Sequence, residues 1–196
     1  MSQFEVLKDL TESVKELLKS SLRDAGFTTV SVSTERPKKD NIKTLPMVSC
    51  YMYHVSFAPD YKERTDHLVT TYAKDGTLVE YYQDAPAYLY AQFIVSVFGN
   101  TQAEESLLLG FVVKTFLEHP ILQGDLLKGN AFFPDDKVNL YQNIQADFND
   151  ALAFWRSLNE EVRPSLFYYA RVRIESERRS EELKRVIGRD LAVKRG

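Results

Sequence analysis

Hydrophobic residues recur every three or four positions at the start of the chain, which is the spacing of one face of an α-helix. Ser2 and Glu5 have the spacing of a capping box, and Gly26 is of the residue type that ends helices. The segment therefore predicts an amphipathic helix that packs through one face. Its apolar positions are Phe4, Leu7, Leu10, Val14, Leu17 and Leu18.

Several later segments have the two-residue period of β-strands. Residues 28–32 alternate apolar and polar side chains, which predicts a short strand. In residues 47–57 and 88–98 both alternating sets are large and apolar, a pattern typical of strands covered on two faces. Residues 137–144 predict a further edge strand, and residues 165–174 predict the strand that closes the core.

A hairpin is predicted between the two covered strands. Residues 68–72 and 78–82 flank Asp75 and Gly76. This dipeptide suits a type I′ turn, because both central residues of that turn need a positive φ. We expect the hairpin to project from the body of the protein.

Two further helices follow from capping residues and apolar stripes. Thr101 and Glu104 have the spacing of a capping box, and Asp147 is a good N-cap residue. The stripes consist of Leu107, Leu108, Phe111, Val112, Thr115 and Phe116 in the first helix, and of Phe148, Leu152, Trp155 and Leu158 in the second.

The order of these elements favours an α+β fold over a doubly wound one, since the strands group into hairpins. We predict a mixed, mainly antiparallel sheet with about three helices packed against it. A chain of 196 residues that is 44% hydrophobic supports one core. The expected organisation is a single domain at residues 1–176 followed by a charged C-terminal arm at residues 177–196.

Charge is unevenly distributed along the chain. From Arg171 onward nine Lys and Arg stand against five Asp and Glu, a net charge of +4, which leaves the preceding residues at −7. The start of the chain does not resemble a secretory signal, and no apolar run has the length of a membrane span. A single cysteine, Cys50, fits a reducing compartment. We therefore expect a cytoplasmic protein without a membrane anchor.

The sequence contains no motif for catalysis, a metal or a cofactor. Cys50 and His54 would lie about 13 Å apart on a strand, too far to form a thiol dyad. His67 and His119 have no second ligand at metal-binding spacing. Neither a phosphate-binding glycine loop nor a nucleophile elbow is present. We predict a protein that is not an enzyme and has no catalytic, cofactor-binding or metal-binding residues.

Several short motifs together resemble a known family. They are residues 51–55 (YMYHV), 88–90 (YLY), 105–110 (ESLLLG), 118–122 (EHPIL), 154–158 (FWRSL) and 163–169 (RPSLFYY). In this order and spacing they resemble the tail terminator or cap proteins of extracellular contractile injection systems, of the antifeeding prophage and Photorhabdus virulence cassette type. Larger members of that family carry a further C-terminal region.

The resemblance implies a structural cap subunit of a phage-tail-like particle. Such subunits form a ring, expected to be a hexamer, at the tube end distal to the baseplate, where the ring ends tube growth and engages the last sheath layer. The implied partners are identical copies, the inner tube protein and the sheath protein, with no small-molecule substrate. Partner-binding residues are predicted in the arm, at Arg178, Arg179, Lys184, Arg185, Arg189, Lys194 and Arg195.

Three other functions are compatible with the sequence. A phage-type neck or connector ring protein would have a related assembly role. An enzyme with a site built from distant residues would leave no local motif. A single-stranded nucleic-acid-binding module would stack bases on the tyrosines, but basic residues are not interleaved with them, and acidic residues interrupt the basic arm.

Overall fold

The apolar segments fold into three helices and eight strands within the part of the chain that the computed structural model describes, which is residues 3–59, 66–176, 178, 180 and 181. The helices are α1 (Val6–Asp24), α2 (Gln102–Glu118) and α3 (Phe148–Ser157). The strands are β1 (Ser31–Ser33), β2 (Met47–Phe57), β3 (His67–Tyr72), β4 (Leu78–Gln83), β5 (Ala87–Phe98), β6 (Ile121–Gln123), β7 (Lys137–Gln142) and β8 (Ser165–Ile174).

Six strands form one sheet in the order β1-β2-β5-β8-β7-β6, and β3 pairs with β4 in a separate two-stranded sheet. Strand β1 is parallel to β2, whereas the other pairs are antiparallel. The predicted α+β class with a mixed, mainly antiparallel sheet is confirmed. The predicted edge strand at 137–144 is shorter and lies inside the sheet, because β6 pairs with its outer side.

Helices α1 and α2 cover one face of the six-stranded sheet and form the larger core. Leu10, Leu18 and Val112 are buried there against Phe93 and Val95 of β5. Both alternating sets of β5 residues are apolar because one set faces this core and the other set faces a smaller core on the opposite side of the sheet. The predicted strand at 88–98 is confirmed along its whole length.

Helix α3 covers only half of the opposite face. Trp155 packs there against Phe98, Ile94 and Phe167, and its indole Nε1 donates a hydrogen bond to Ser165 Oγ at 2.9 Å. The rest of this face of the sheet is not covered by any helix among the described residues. The same half-coverage exposes the end of β2, where Phe57 is 54% exposed. The prediction that β2 is covered on two sides therefore holds only for its first residues.

The start of α1 differs from the prediction. A 3₁₀ turn at Gln3–Glu5 precedes the helix, and Glu5 stands at its N-cap without a side-chain cap. The Glu5 carboxylate accepts a hydrogen bond from Lys8 Nζ instead. The predicted capping box of Ser2 and Glu5 stays a prediction, because Ser2 lies outside the described residues. The predicted stop at Gly26 is confirmed by its φ of +87°.

The hairpin exists, but its turn is of another type. Ala73 N donates to Thr77 O, and Gly76 N donates to Ala73 O. Gly76 has a φ of +84°, whereas Asp75 is not among the described non-glycine residues with a positive φ. The connection is a three-residue loop in which only the glycine is left-handed. The predicted type I′ turn is wrong.

Three apolar residues lie outside the stripes in which they were predicted, and the first of them is Phe4, which lies in the 3₁₀ turn before α1 and is 83% exposed. Leu107 of α2 is 59% exposed and Phe148 of α3 is 67% exposed, because neither points toward the sheet. Thr101 caps α2 as predicted by accepting a hydrogen bond from Glu104 N, but the reciprocal half of the capping box is wrong, since the Glu104 carboxylate accepts from Asn100 N. Asp147 caps α3 in a full capping box with Asp150.

A buried carboxylate fixes the loop after β6 to α1. Asp9 Oδ2 accepts hydrogen bonds from the backbone N–H groups of Asn130 and Ala131, at 2.9 and 3.0 Å. One turn later, Ser13 Oγ accepts from Lys128 N at 2.8 Å. Gly129 lies so close to this carboxylate that an added Cβ would overlap it. These contacts join segments that are about 120 residues apart.

Candidate assembly surfaces

The β3–β4 hairpin is the first exposed feature that suits contact with a partner. Leu68, Tyr72 and Tyr82 are 49%, 73% and 46% exposed. Strand β3 pairs only with β4 among the described residues, so one of its edges is open. Strand edges and exposed aromatic residues are common elements of protein interfaces.

Two residues that follow β8, Ser176 and Ser180, contact the other edge of the hairpin. Gln83 Nε2 donates to Ser176 O at 2.8 Å. Ser180 N donates to Tyr82 O at 2.8 Å, and Tyr82 N donates to Ser180 Oγ at 2.9 Å. The start of the C-terminal segment is thus bound to β4 by two contacts to the Tyr82 backbone. Ser180 thus uses one backbone and one side-chain group to pair with the Tyr82 backbone groups that face away from β3.

A row of tyrosines crosses the half of the sheet that α3 leaves uncovered. Tyr141 of β7 stacks on Tyr169 of β8 with ring centroids 5.1 Å apart. Tyr169 in turn contacts Tyr90 of β5 at 5.4 Å. Beside this row, Tyr53 donates a hydrogen bond to Gln92 at 2.7 Å. Burial is the main cause of a raised Tyr53 pKa, so the phenol stays neutral and remains a donor.

Apolar side chains continue this surface beyond the sheet. Ile144, which lies between β7 and α3, is 86% exposed, and Phe148, the first residue of α3, is 67% exposed. Amphipathic aromatic residues beside exposed apolar ones are typical of protein–protein contact. The uncovered sheet face is therefore a second candidate assembly surface.

Most of the partner-binding residues predicted in the arm lie outside the described part of the chain. Arg178 is described and exposed, and its backbone N–H donates to Ser176 Oγ at 3.1 Å. Arg179, Lys184, Arg185, Arg189, Lys194 and Arg195 lie outside the described residues. Their role stays a prediction.

Sequence reasoning missed the docking of Ser180 on β4 and the row of three tyrosines. The strand order needed to align Tyr90, Tyr141 and Tyr169 is not encoded in any local pattern. A local signal for the open edge does exist, because β3 contains no proline and no Lys, Arg, Asp or Glu. Natural edge strands usually carry such residues as protection against pairing.

The residues considered for chemistry are not brought together. Cys50 is buried and free in the larger core, while His54 is exposed near the far end of the same strand. Among the described residues no three His, Cys, Asp or Glu side chains are grouped as metal ligands would be. Within that same part of the chain, no helix combines the length and apolarity needed to cross a membrane.

We expect Cys50 to resist alkylation in the folded protein at neutral pH. Burial raises the pKa of its thiol to about 12, and the thiolate is the form that reacts. Iodoacetamide labelling followed by mass spectrometry measures this directly. Protein unfolded in guanidinium is the positive control, and rapid labelling of the folded chain would contradict the expectation.

Comparison with known proteins identifies a family for this chain and two solved structures with a similar fold. Residues 9–188 match the family model described as the Pvc16 N-terminal domain. The chain is similar to the PVC sheath/tube terminator of an extracellular contractile injection system in its extended state, with a TM-score of 0.68 and 14% identity. It is also similar to the tube-terminating cap of the anti-feeding prophage, with a TM-score of 0.64 and 14% identity. A search of curated proteins found no match.

These similarities cover nearly the whole chain but only part of the two caps. The alignments include 96% and 94% of this chain, and 63% and 60% of the terminator and the cap. At 14% identity the likeness to the solved structures is one of fold. The family model matches most of the sequence itself, so the chain belongs to the Pvc16 N-terminal domain family.

Proposed function

We propose that this protein is a structural cap or terminator subunit of a contractile injection system. The observation that carries the proposal is the family match over residues 9–188. The fold supports it, because almost the whole chain superimposes on part of a sheath/tube terminator. In this role the protein ends the growth of the inner tube and engages the last sheath layer, at the end distal to the baseplate.

The proposed mechanism is assembly through contact surfaces that are repeated in every subunit, without a chemical step. Identical copies close into a ring, which we take to be a hexamer, so that each weak contact to tube and sheath is made several times at once. The exposed hairpin and the uncovered tyrosine face supply contact area of the required kind. In this proposal the subunits assemble in the cytoplasm.

The basic arm is proposed to bind a partner in the same assembly. Residues from Arg171 onward carry a net charge of +4, and the preceding body carries −7. Opposite charges of this kind favour head-to-tail contacts between copies and set the rate and specificity of encounter more than the strength. The arm residues named in the sequence analysis are the ones expected to supply these contacts.

Deleting the gene in a cell that assembles the particle tests the function. We expect tubes of irregular length and sheath ends without a cap, seen by electron microscopy of purified particles. Re-expression of the full chain is the control and should restore uniform length. Particles of normal length and with normal ends in the deleted strain would contradict the proposal.

Removing residues 182–196 tests the arm. The truncated chain keeps the described body, including the Ser180 contacts to β4, and is expected to melt at the same temperature as the full chain. We expect it to be absent from particle ends, because the basic partner-binding segment is gone. Quantitative mass spectrometry of purified particles measures cap occupancy, and unchanged occupancy would argue against a role for the arm.

A further inference from the structure

The hydrogen-bond pattern of the hairpin shows which backbone groups of β3 are open. Ala73 N donates to Thr77 O, so these residues form a hydrogen-bonded pair beside the loop. Bonded and non-bonded pairs alternate along an antiparallel ladder. Tyr72, Thr70 and Leu68 therefore belong to the non-bonded pairs, and their N–H and C=O groups point away from β4. The contact of Ser180 with the outward groups of Tyr82, the partner of Leu68, agrees with this alternation.

The outer edge of β3 has no partner strand at any of its six residues in the part of the chain that the structure describes. Strands β1 and β6, which end the six-stranded sheet, have only three residues each. Strand β3 has six, five of them exposed, and none is charged or proline. Short length and inward or edge charges normally protect strand edges, and β3 has neither. Such an edge is suited to accept an added strand.

The charges around the hairpin indicate the chemistry of the partner. Residues 66–84 contain four Asp and Glu and one Lys, a net charge of −3. Residues 182–196 contain five Lys and Arg and two Asp and Glu, a net charge of +3. This segment lies outside the described residues, and with 15 residues it can span about 50 Å when extended. Ser180, the last residue before this segment with a contact to the hairpin, lies on the β4 side, and the open β3 edge is on the opposite side.

We propose that the open edge of β3 binds residues 182–196 of a second copy of this chain by strand addition. The inference rests on the proposed ring of identical copies, for which it supplies a specific contact. The hairpin then has contacts at both edges: β4 with Ser176 and Ser180 of its own copy, and β3 with the arm of a neighbour. Contacts of this head-to-tail type join different surfaces of each copy and can close into a ring.

The test measures binding of a synthetic peptide of residues 182–196 to the full-length chain and to two variants at Thr70. Thr70→Pro removes an outward N–H that β4 does not use, whereas Thr70→Ala keeps it. We expect the peptide to bind the Thr70→Ala chain as it binds the unmodified chain. Binding to Thr70→Pro should be weaker by about tenfold or more, because pairing loses a backbone hydrogen bond and meets the proline ring. Equal binding to both variants would overturn the proposal.

A second measurement avoids any change to the protein. Peptides N-methylated at alternate positions, in the two possible registers, should differ strongly in affinity, since an added strand uses only every second N–H for the ladder. Two registers that bind equally well would contradict strand addition.

Sedimentation velocity decides which copy supplies the segment. The full-length chain is expected to self-associate, and Thr70→Pro is expected to reduce this association. Chains that stay monomeric at the concentrations at which the peptide binds would overturn the proposal, because each arm would then occupy its own hairpin. Normal particle ends with Thr70→Pro would count against the pairing alone, whereas normal ends without the protein would count against the cap function.

Discussion

Gly129→Ala is expected to lower the free energy of unfolding by about 3–5 kcal/mol. Gly129 has a φ of +85°, a conformation that costs alanine about 1–2 kcal/mol. An alanine Cβ would also overlap the Asp9 carboxylate, so the loop must move away from α1. That movement weakens the hydrogen bonds from Asn130 and Ala131 to Asp9, and a bond to a charged group contributes about 1.5–3 kcal/mol. Urea unfolding followed by circular dichroism measures the change.

Gly76→Ala is the matched control for this prediction. Gly76 has nearly the same φ, +84°, but nothing lies within 4 Å of the position where its Cβ would be. We expect the free energy of unfolding of this variant to fall only by the cost of the left-handed backbone conformation, about 1–2 kcal/mol. Equal losses at Gly129 and Gly76 would show that the contact with Asp9 contributes nothing.

A double-mutant cycle separates the overlap from the backbone strain. Asp9→Ala removes the carboxylate and leaves the Ala131 N–H buried without this acceptor, so it is destabilising by itself. In the Asp9→Ala background, Gly129→Ala should cost only about 1–2 kcal/mol, because no carboxylate remains to overlap. Additive losses would contradict the packing described for this loop.

The strands with two apolar faces were predictable from the sequence because burial on both faces leaves a local pattern. Strands β2, β5 and β8 have the predicted bounds to within one residue. The capping of α2 by Thr101 and of α3 by Asp147 was equally local, since each cap joins residues two or three positions apart. These predictions were correct because the interactions behind them lie within one helical turn or one strand.

The features that the sequence did not predict depend on contacts between distant segments. The Asp9 contact joins positions about 120 residues apart, and a polar residue on the apolar side of α1 was its only local trace. Leu107 and Phe148 fit helical stripes by spacing, but the direction of the sheet decided which side of each helix was buried. The turn at Gly76 depended on the backbone of Asp75, which tolerates either sign of φ.

The candidate assembly surfaces were predictable only in part. The hairpin was expected from its sequence, whereas its open edge became visible only with the strand order. The sequence shows the tyrosines only as a surface on which bases could stack, because the row formed by Tyr90, Tyr141 and Tyr169 needs the register of three strands. Surfaces of this kind depend on topology, so local sequence patterns do not reveal them.

Trp155→Ala is expected to lower the free energy of unfolding by about 3–5 kcal/mol. Trp155 is 1% exposed and fills the smaller core between α3 and the sheet. The substitution removes the contact with Phe98 and leaves a cavity, and Ser165 Oγ loses the hydrogen bond from the indole. Thermal and urea unfolding of the purified variant measure the loss.

Two variants show whether the loss comes from packing in this core. Trp155→Phe keeps an aromatic ring but not the donor, so it should lose less than Trp155→Ala. Phe148→Ala changes an aromatic residue on the same helix that is 67% exposed, and we expect the free energy of unfolding to change by less than about 0.5 kcal/mol. If Trp155→Ala unfolded at the same temperature as the unmodified chain while Phe148→Ala was destabilised, the side of α3 that faces the sheet would be the reverse of the one described. The half-covered sheet, and with it the tyrosine surface, depends on this orientation of α3.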